Sequence, residues 1–354
     1  MPPHSIIFTA ALAALLALAS CGRFGGTAPS KTTPVILISI DTLRSDRLPM
    51  YGYDRVSTPN LDALRGDAIL YERAYSHCPL TLPSHSSMFT GLLPSEHGVR
   101  DNTGYRLEQS TPTLAELLKK NGYATAAAVS AFVLRRESGI ARGFDFYDDD
   151  VEALGQRAGI GQVQRDGRAT VEAAKKWLEG KTGNPFFLFV HMYEPHTPYT
   201  PPEPFNSQYK DKYDGEIAYA DAVVGELIAD LKARDVYDDA MIILLSDHGE
   251  GLNDHGEEEH GVFLYREAIQ VPLLVKLPKS AHKGKSVAAP VQLIDVFSTI
   301  LAQTTTPGST RNTTARSLLT FLSGGDNDDA PARPIYSETY YPRLHFGWSD
   351  LHSL

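Results

Sequence analysis

The sequence predicts a three-layer α/β/α domain with a mostly parallel central sheet, and two observations carry the expectation. Three apolar runs rich in strand-forming residues each turn polar where a strand would end, and segments with helical periodicity lie between them. The first run, "PVILISID" (residues 34–41), is β-branched and stops at Asp41, as a buried parallel strand does when its C-terminal end faces a site. "PFFLFVHMYEPH" (185–196) and "AMIILLSDHGE" (240–250) repeat the pattern and end in His, Asp or Glu. Helical patterns occupy 58–68, 111–122, 165–180 and 213–235, with a further one at 289–303. Alternating strands and helices put a helical layer on each face of the sheet.

At 354 residues and 42% hydrophobic side chains the chain can bury a large core. Its net charge of -10, without a cluster of Lys and Arg, argues against nucleic acid as a partner. The domain is expected over 34–303, and 304–354 reads as the start of a smaller C-terminal subdomain that the sequence does not complete. Residues 1–20 form an apolar leader of secretory type, and "LASC" (18–21) resembles the bacterial lipobox, in which cleavage precedes a lipid-bearing cysteine. Cys21 is therefore the expected lipidation site, residues 21–33 a Gly/Ser/Thr-rich tether, and the location extracytoplasmic, on a bacterial membrane. Cys78 is the other cysteine and reads as a small buried hydrophobe.

The strand ends hold the residue types that bind a hard divalent cation: Asp41 from the first and the Asp247-His248 pair from the third, with Thr81 arriving from another segment. Carboxylate, imidazole and hydroxyl oxygen suit Zn, Mn, Mg or Ca without choosing among them. A cation beside a hydroxyl lowers its pKa, which makes a threonine a nucleophile at neutral pH. In "CPLTLPSHSSMFTG" (78–91), Pro83 fits the first turn of a helix, so Thr81 falls at a helix N-terminus, where backbone N–H groups favour an anion.

On these residues the chain resembles the sulfatase family of the alkaline phosphatase superfamily. In that family a Cys or Ser, oxidised to formylglycine, opens a Cys-x-Pro-Ser-Arg motif followed by Thr-Gly. "TLPSHSSMFTG" is similar, with Thr81 at the nucleophile, Pro83 and Ser84 matching, His85 replacing the arginine, and Thr90-Gly91 in place. "ISIDTLRSDRLPMYGY", "HMYEPHTPYTPP" and "LLSDHGEGLNDHGEEEHG" resemble its first metal segment, its substrate-side segment and its second metal segment. The resemblance implies an alkaline phosphatase-like fold and the metal set Asp41, Thr81, Asp247 and His248. It also implies His196 and His260 as catalytic contacts to the anionic group, with His85, His191 and His255 as further substrate contacts. His85 can equally cap or pack at the helix start, and Arg44 and Asp46 in "DTLRSD" fit either a structural ion pair or a substrate role.

Two departures bear on substrate. The family's Asp-Asp pair is Asp41-Thr42 here, and its second Asp-Asn is Asp247-His248, which resembles the phosphodiesterase, phosphonate hydrolase and phosphoethanolamine transferase branches. A threonine ester, unlike a formylglycine hydrate, is released only by a second attack on sulfur or phosphorus. The resemblance thus implies a metal-dependent hydrolase of an anionic sulfate or phosphate-type ester borne by a glycan, lipid or small molecule. A phosphoethanolamine or phosphoglycerol transferase, and a catalytically silent lipoprotein that binds anionic glycans, are the alternatives.

Overall fold

The computed structural model describes residues 30, 32–151, 163–180, 185–304, 314–322 and 333–354. The leader and Cys21 lie outside them. Of the expected tether, Ser30 donates its N–H to the Gln303 carbonyl at 3.0 Å and Thr33 is buried, so its described end rests on the domain.

Among the described residues the central sheet has eight strands: β1 (Val35–Ile40), β2 (Ile69–Tyr71), β3 (Ala124–Val129), β4 (Phe146–Asp148), β5 (Phe186–Met192), β6 (Met241–Leu245), β7 (Leu273–Lys276) and β8 (Ser286–Val287). Their spatial order is β8-β2-β7-β6-β1-β5-β3-β4, and β7 alone runs against its neighbours. The mostly parallel α/β sheet of the sequence reading is therefore present. β1 sits between β5 and β6 and parallel to both, so the polar ends of the three runs emerge side by side.

Both faces of these strands are buried, which explains why they read as continuous apolar runs. Along β1, Val35 and Leu37 enter one core cluster while Ile36, Ile38 and Ile40 enter the other. Six longer helices cover the sheet: α1 (Pro59–Asp67), α2 (Thr81–Thr90), α3 (Leu114–Lys120), α4 (Gly167–Leu178), α5 (Lys212–Ala233) and α6 (Ile294–Thr304). α2, α3 and α6 pack into the first cluster, and α1, α4 and α5 into the second.

The described part of the C-terminal region is attached to this domain. Leu318 is fully buried in the first cluster, and its carbonyl accepts from the Tyr71 hydroxyl at 3.0 Å. Strands Ser337–Thr339 and Leu351–Ser353 form an antiparallel ribbon, and Glu338 donates its N–H to the His77 carbonyl at 2.9 Å.

Candidate active site

The site lies at the C-terminal ends of β1, β5 and β6, closed by the N-terminus of α2. Its backbone is pinned by small hydroxyls. Ser246 accepts from the Leu43 N–H at 3.0 Å and donates to the His248 carbonyl at 2.6 Å, tying the β1 and β6 ends together. Ser84 donates to the Asp247 carbonyl at 2.8 Å and fixes α2 to the same strand end. Thr42 is held at φ +52°, unusual for a β-branched residue, with its carbonyl accepting from Tyr213 at 2.6 Å. Gly249 is required for space, because a Cβ there would stand 1.8 Å from the Glu267 carbonyl oxygen. Gly91 ends α2 at φ +68°, and a Cβ there would meet the Phe297 ring at 2.6 Å.

Thr81 is the first residue of α2, and its Oγ1 is 3.4 Å from His248 Nε2. His248 Nε2 is in turn 3.5 Å from Asp41 Oδ1 and 3.5 Å from Asp247 Oδ2. The four expected metal residues therefore converge from three elements, and Asp41, Asp247 and His248 offer donor atoms within 4.8 Å of one another. All three are fully buried, and the four carboxylate oxygens have no hydrogen-bond partner. Burial pushes the pKa values of both carboxylates up. Burial opposes the charged form of His248 as well, but Asp247 and Asp41 outweigh it and hold that pKa above its ordinary value. Buried carboxylates without partners are costly unless a cation pairs with them, so the donor set fits a divalent metal. Hydroxyl and carboxylate oxygens with one imidazole are a hard set of this kind.

His196 and His260 stand on the rim, 9% and 7% exposed, with ring centroids 5.1 Å apart, and His260 is 4.4 Å from the His248 ring. His196 Nδ1–H donates to the Thr197 carbonyl at 2.8 Å, and His260 Nδ1–H to Glu250 Oε1 at 3.0 Å. Each imidazole thus keeps Nε2 for a ligand. Tyr193 stacks on His196 at 4.3 Å, and Tyr199 donates to Glu250 Oε2 at 3.1 Å. Sequence reasoning passes over Glu250; the available signal was an acid two residues beyond His248, where a turn can bring it under His260.

Of the three further expected substrate contacts, two lie buried beneath the site and one turns outward. His85 is fully buried and engaged at both nitrogens: Nδ1–H donates to the Thr81 carbonyl at 2.7 Å, and Nε2 accepts from Ser39 Oγ at 3.0 Å. Its bonds tie the backbone of Thr81 at the start of α2 to Ser39 of β1. His191 is fully buried in β5, 3.5 Å from Asp41 Oδ2, away from solvent. His255 is half exposed, bonded to Glu267 at 2.6 Å and stacked on Tyr265. Arg44 is a structural latch: it pairs with Asp46 at 2.8 Å and Asp254 at 2.9 Å and donates to the Glu250 carbonyl at 3.2 Å, securing the loop that carries Glu250. Cys78 is buried, and burial raises its thiol well above the ordinary value, which disfavours a thiolate there; Thr81 is the hydroxyl of that segment set beside His248. The N–H of Leu82, one of the donors at the start of α2, is occupied by Asn102 Oδ1 at 2.8 Å.

Residues 33–306 match the family model described as Sulfatase. The chain belongs to the sulfatase family. Members of this family are ester hydrolases, and the sulfatase-family chain described here is 27% identical over 322 residues to the ulvan-active sulfatase of Formosa agariphila. That match covers 75% of this chain and 60% of the relative. It is 25% identical to a multifunctional alkaline phosphatase superfamily protein of Trinickia caryophylli, with 83% of this chain and 78% of the relative covered. Among solved structures, the phosphonate monoester hydrolase of Agrobacterium radiobacter superposes with a TM-score of 0.75 at 21% identity, covering 90% of this chain and 85% of that one. This last likeness establishes the fold that the sulfatase-family sequence adopts.

Proposed function

We propose that this chain is a metal-dependent hydrolase of sulfate or phosphate-type esters that uses Thr81 as its nucleophile. The observation that carries the reading is Thr81 Oγ1 at a helix N-terminus, 3.4 Å from His248, beside the unpartnered carboxylates Asp41 and Asp247. Asp41, Thr81, Asp247 and His248 would hold a divalent cation, which when bound supplies the positive charge that keeps Thr81 ionised and polarises a substrate oxygen.

The chain's own groups account for the remaining steps. Thr81 Oγ attacks sulfur or phosphorus, and the bond from that atom to the ester oxygen breaks. The departing oxygen takes a proton from Nε2 of His260 or His196. Glu250 on Nδ1 orients the His260 ring, and burial, with His248 nearby, lowers its pKa, so the imidazolium that gives the proton is a minor but strongly acidic form. Water then attacks the Thr81 ester and gives a proton to the same imidazole, and the bond to Oγ breaks, restoring Thr81.

A sulfated glycan is supported as substrate by the name of the ulvan-active relative and by a structural neighbour solved with D-glucosamine-2-N,6-O-disulfate. A phosphate-type ester is supported by Asp41-Thr42 and Asp247-His248 and by the threonine itself. An aryl sulfate, a phosphate monoester, a phosphodiester and a phosphonate monoester assayed with the same metal-loaded sample distinguish these classes. Turnover of at least one, lost on chelation and regained with metal, is expected; a metal-loaded protein that turns over none contradicts the proposal.

We further propose that Cys21 is lipidated and holds the domain on the outer side of a bacterial membrane, from the leader and "LASC". A fatty-acid probe should label the wild type and spare Cys21→Ser, and equal labelling of both would exclude the anchor.

A further inference from the structure

A cleft that the proposed mechanism does not use adjoins the nucleophile. β3 runs parallel to β5, with Val129 in register with His191, so the loop after β3 leaves the sheet at the same edge as the site. That loop, with its turn Phe132–Leu134, lines one wall of a cleft of about 240 Å³. Residues 102–105 line the other wall, and Leu82, the neighbour of Thr81, lines it too.

The walls are fastened to each other and to α2. Leu107 donates its N–H to the Ser138 carbonyl at 2.8 Å, and Gly139, at φ +84°, lies so near that a Cβ there would stand 2.5 Å from the Leu107 carbonyl oxygen. Asn102 Oδ1 accepts from the Leu82 N–H at 2.8 Å, which sets the cleft at a fixed place beside Thr81.

Its lining mixes ring faces with polar ends. Tyr105 and Phe132 are half-buried, and the Arg135 guanidinium lies 4.0 Å from the centre of the Phe132 ring. Arg135 Nε has no hydrogen-bond partner, and its ionic contact to Glu137 Oε2, at 3.7 Å, is longer than a hydrogen bond. Glu137 is 77% exposed, and so open a pair holds its two members weakly. The chemistry of the occupant follows from this set. An additional anion would meet the Glu137 carboxylate, and an aryl group or lipid tail would strip water from Arg135 and Glu137 without replacing its hydrogen bonds. A pyranose satisfies both kinds of lining, because its C–H faces suit Phe132 and Tyr105 while its hydroxyls donate to Glu137 and accept from Arg135. The volume lies below the about 300–1,000 Å³ of sites for drug-sized ligands, which fits a single ring.

We propose that this cleft is a monosaccharide subsite that takes the sugar ring whose hydroxyl carries the ester, with Arg135 as its selective hydrogen-bond donor and Phe132 as its stacking face. The inference rests on the ester-hydrolase reading above and names the alcohol part of the substrate.

The test uses sulfate and phosphate esters of methyl glucopyranoside and methyl galactopyranoside, esterified at each ring hydroxyl in turn, against the phenyl esters of the same acids. Arg135→Met keeps a stem over Phe132 and removes the guanidinium. It should lower kcat/KM for the best pyranoside ester about ten- to a hundredfold more than for the phenyl ester, mainly through KM, as the loss of one hydrogen bond to a charged group does. Phe132→Leu should shift the same ratio in the same direction. Equal losses on both esters would mark a structural role only and overturn the subsite, as would a wild type that cleaves the phenyl ester and none of the pyranoside esters. Melting of each variant reports folding, and Arg135→Gln serves should methionine not fold. Calorimetric titration of the metal-loaded Thr81→Ala chain with the same pyranoside esters reads the cleft without turnover. Adding Arg135→Met should weaken that binding about tenfold or more, and unchanged affinity overturns the proposal. If the wild type cleaves no ester while this binding still depends on Arg135, the hydrolase reading fails and the subsite stands.

Discussion

Thr81→Ala is expected to abolish turnover of whichever ester the wild type cleaves, and Thr81→Ser to retain part of it. The substitution removes the oxygen proposed to attack while leaving Asp41, Asp247, His248 and the rim histidines in place. Losing about 3 kcal/mol of barrier lowering already exceeds a hundredfold in rate. Serine keeps the hydroxyl at the start of α2 and loses only a methyl group, so a fraction of kcat should remain. Cys78→Ala serves as the neighbouring control: its thiol is buried and held protonated, and its removal should leave kcat within a few-fold of wild type, with about 1 kcal/mol or less lost from packing. An active Thr81→Ala protein, or an inactive but folded Cys78→Ala protein, would move the chemistry to another residue.

Asp247→Asn should lose the bound cation and with it the stabilisation the cation gives. A ligand present at one hundred times its dissociation constant adds about 2.7 kcal/mol to the native state, on the order of 5 °C in a domain of this size. Wild type should therefore melt higher with metal than after chelation, and the variant should melt at the same temperature in both conditions. The sign reverses for the metal-free proteins. Asp247 is fully buried and neither of its oxygens has a hydrogen-bond partner, so neutralising it removes the cost of burying its charge and also relieves like-charge crowding with Asp41. Metal-free Asp247→Asn should be at least as stable as the metal-free wild type. Calorimetry with metal analysis of the same samples checks both halves; an unchanged metal content in the variant would refute the assignment.

The parts of this molecule legible in its sequence are those where one physical requirement dominates. β1, β5 and β6 are buried on both faces and end at the site, so each is an apolar run with a polar stop. β3 was hidden because "ATAAAV" has the composition of a helix. It becomes a strand because it lies parallel between β4 and β5, where Phe187 and Phe189 fill one face and Phe186 and Leu188 the other, and small side chains fit between. Short strands such as β2 and β8 carry too few residues for any period to register.

The site follows the same division. Asp41, Thr81, Asp247 and His248 are fixed by backbone geometry at strand ends and a helix start, which local sequence reveals. Glu250, Tyr199 and Ser39 act by reaching across the fold to His260, to Glu250 and to His85, and sequence spacing does not encode those contacts. The histidines show why residue type alone misleads. Five of them, His85, His191, His196, His248 and His260, gather at the site, yet His255, in the same acid-rich loop as His260, turns outward to Glu267 because the chain bends at Asn253 and His255 with positive φ.

The central claim is that Thr81 becomes covalently esterified during turnover. Acid quenching of the metal-loaded wild type in the steady state, with the best substrate of the four classes, followed by proteolysis and mass spectrometry of the peptide carrying residues 78–91, tests it most directly. The account predicts a mass increase of one sulfuryl, phosphoryl or phosphonyl group localised to Thr81 and absent from Thr81→Ala. A quenched, active enzyme that carries the group on another residue of that peptide, or on a residue elsewhere in the chain, would contradict it.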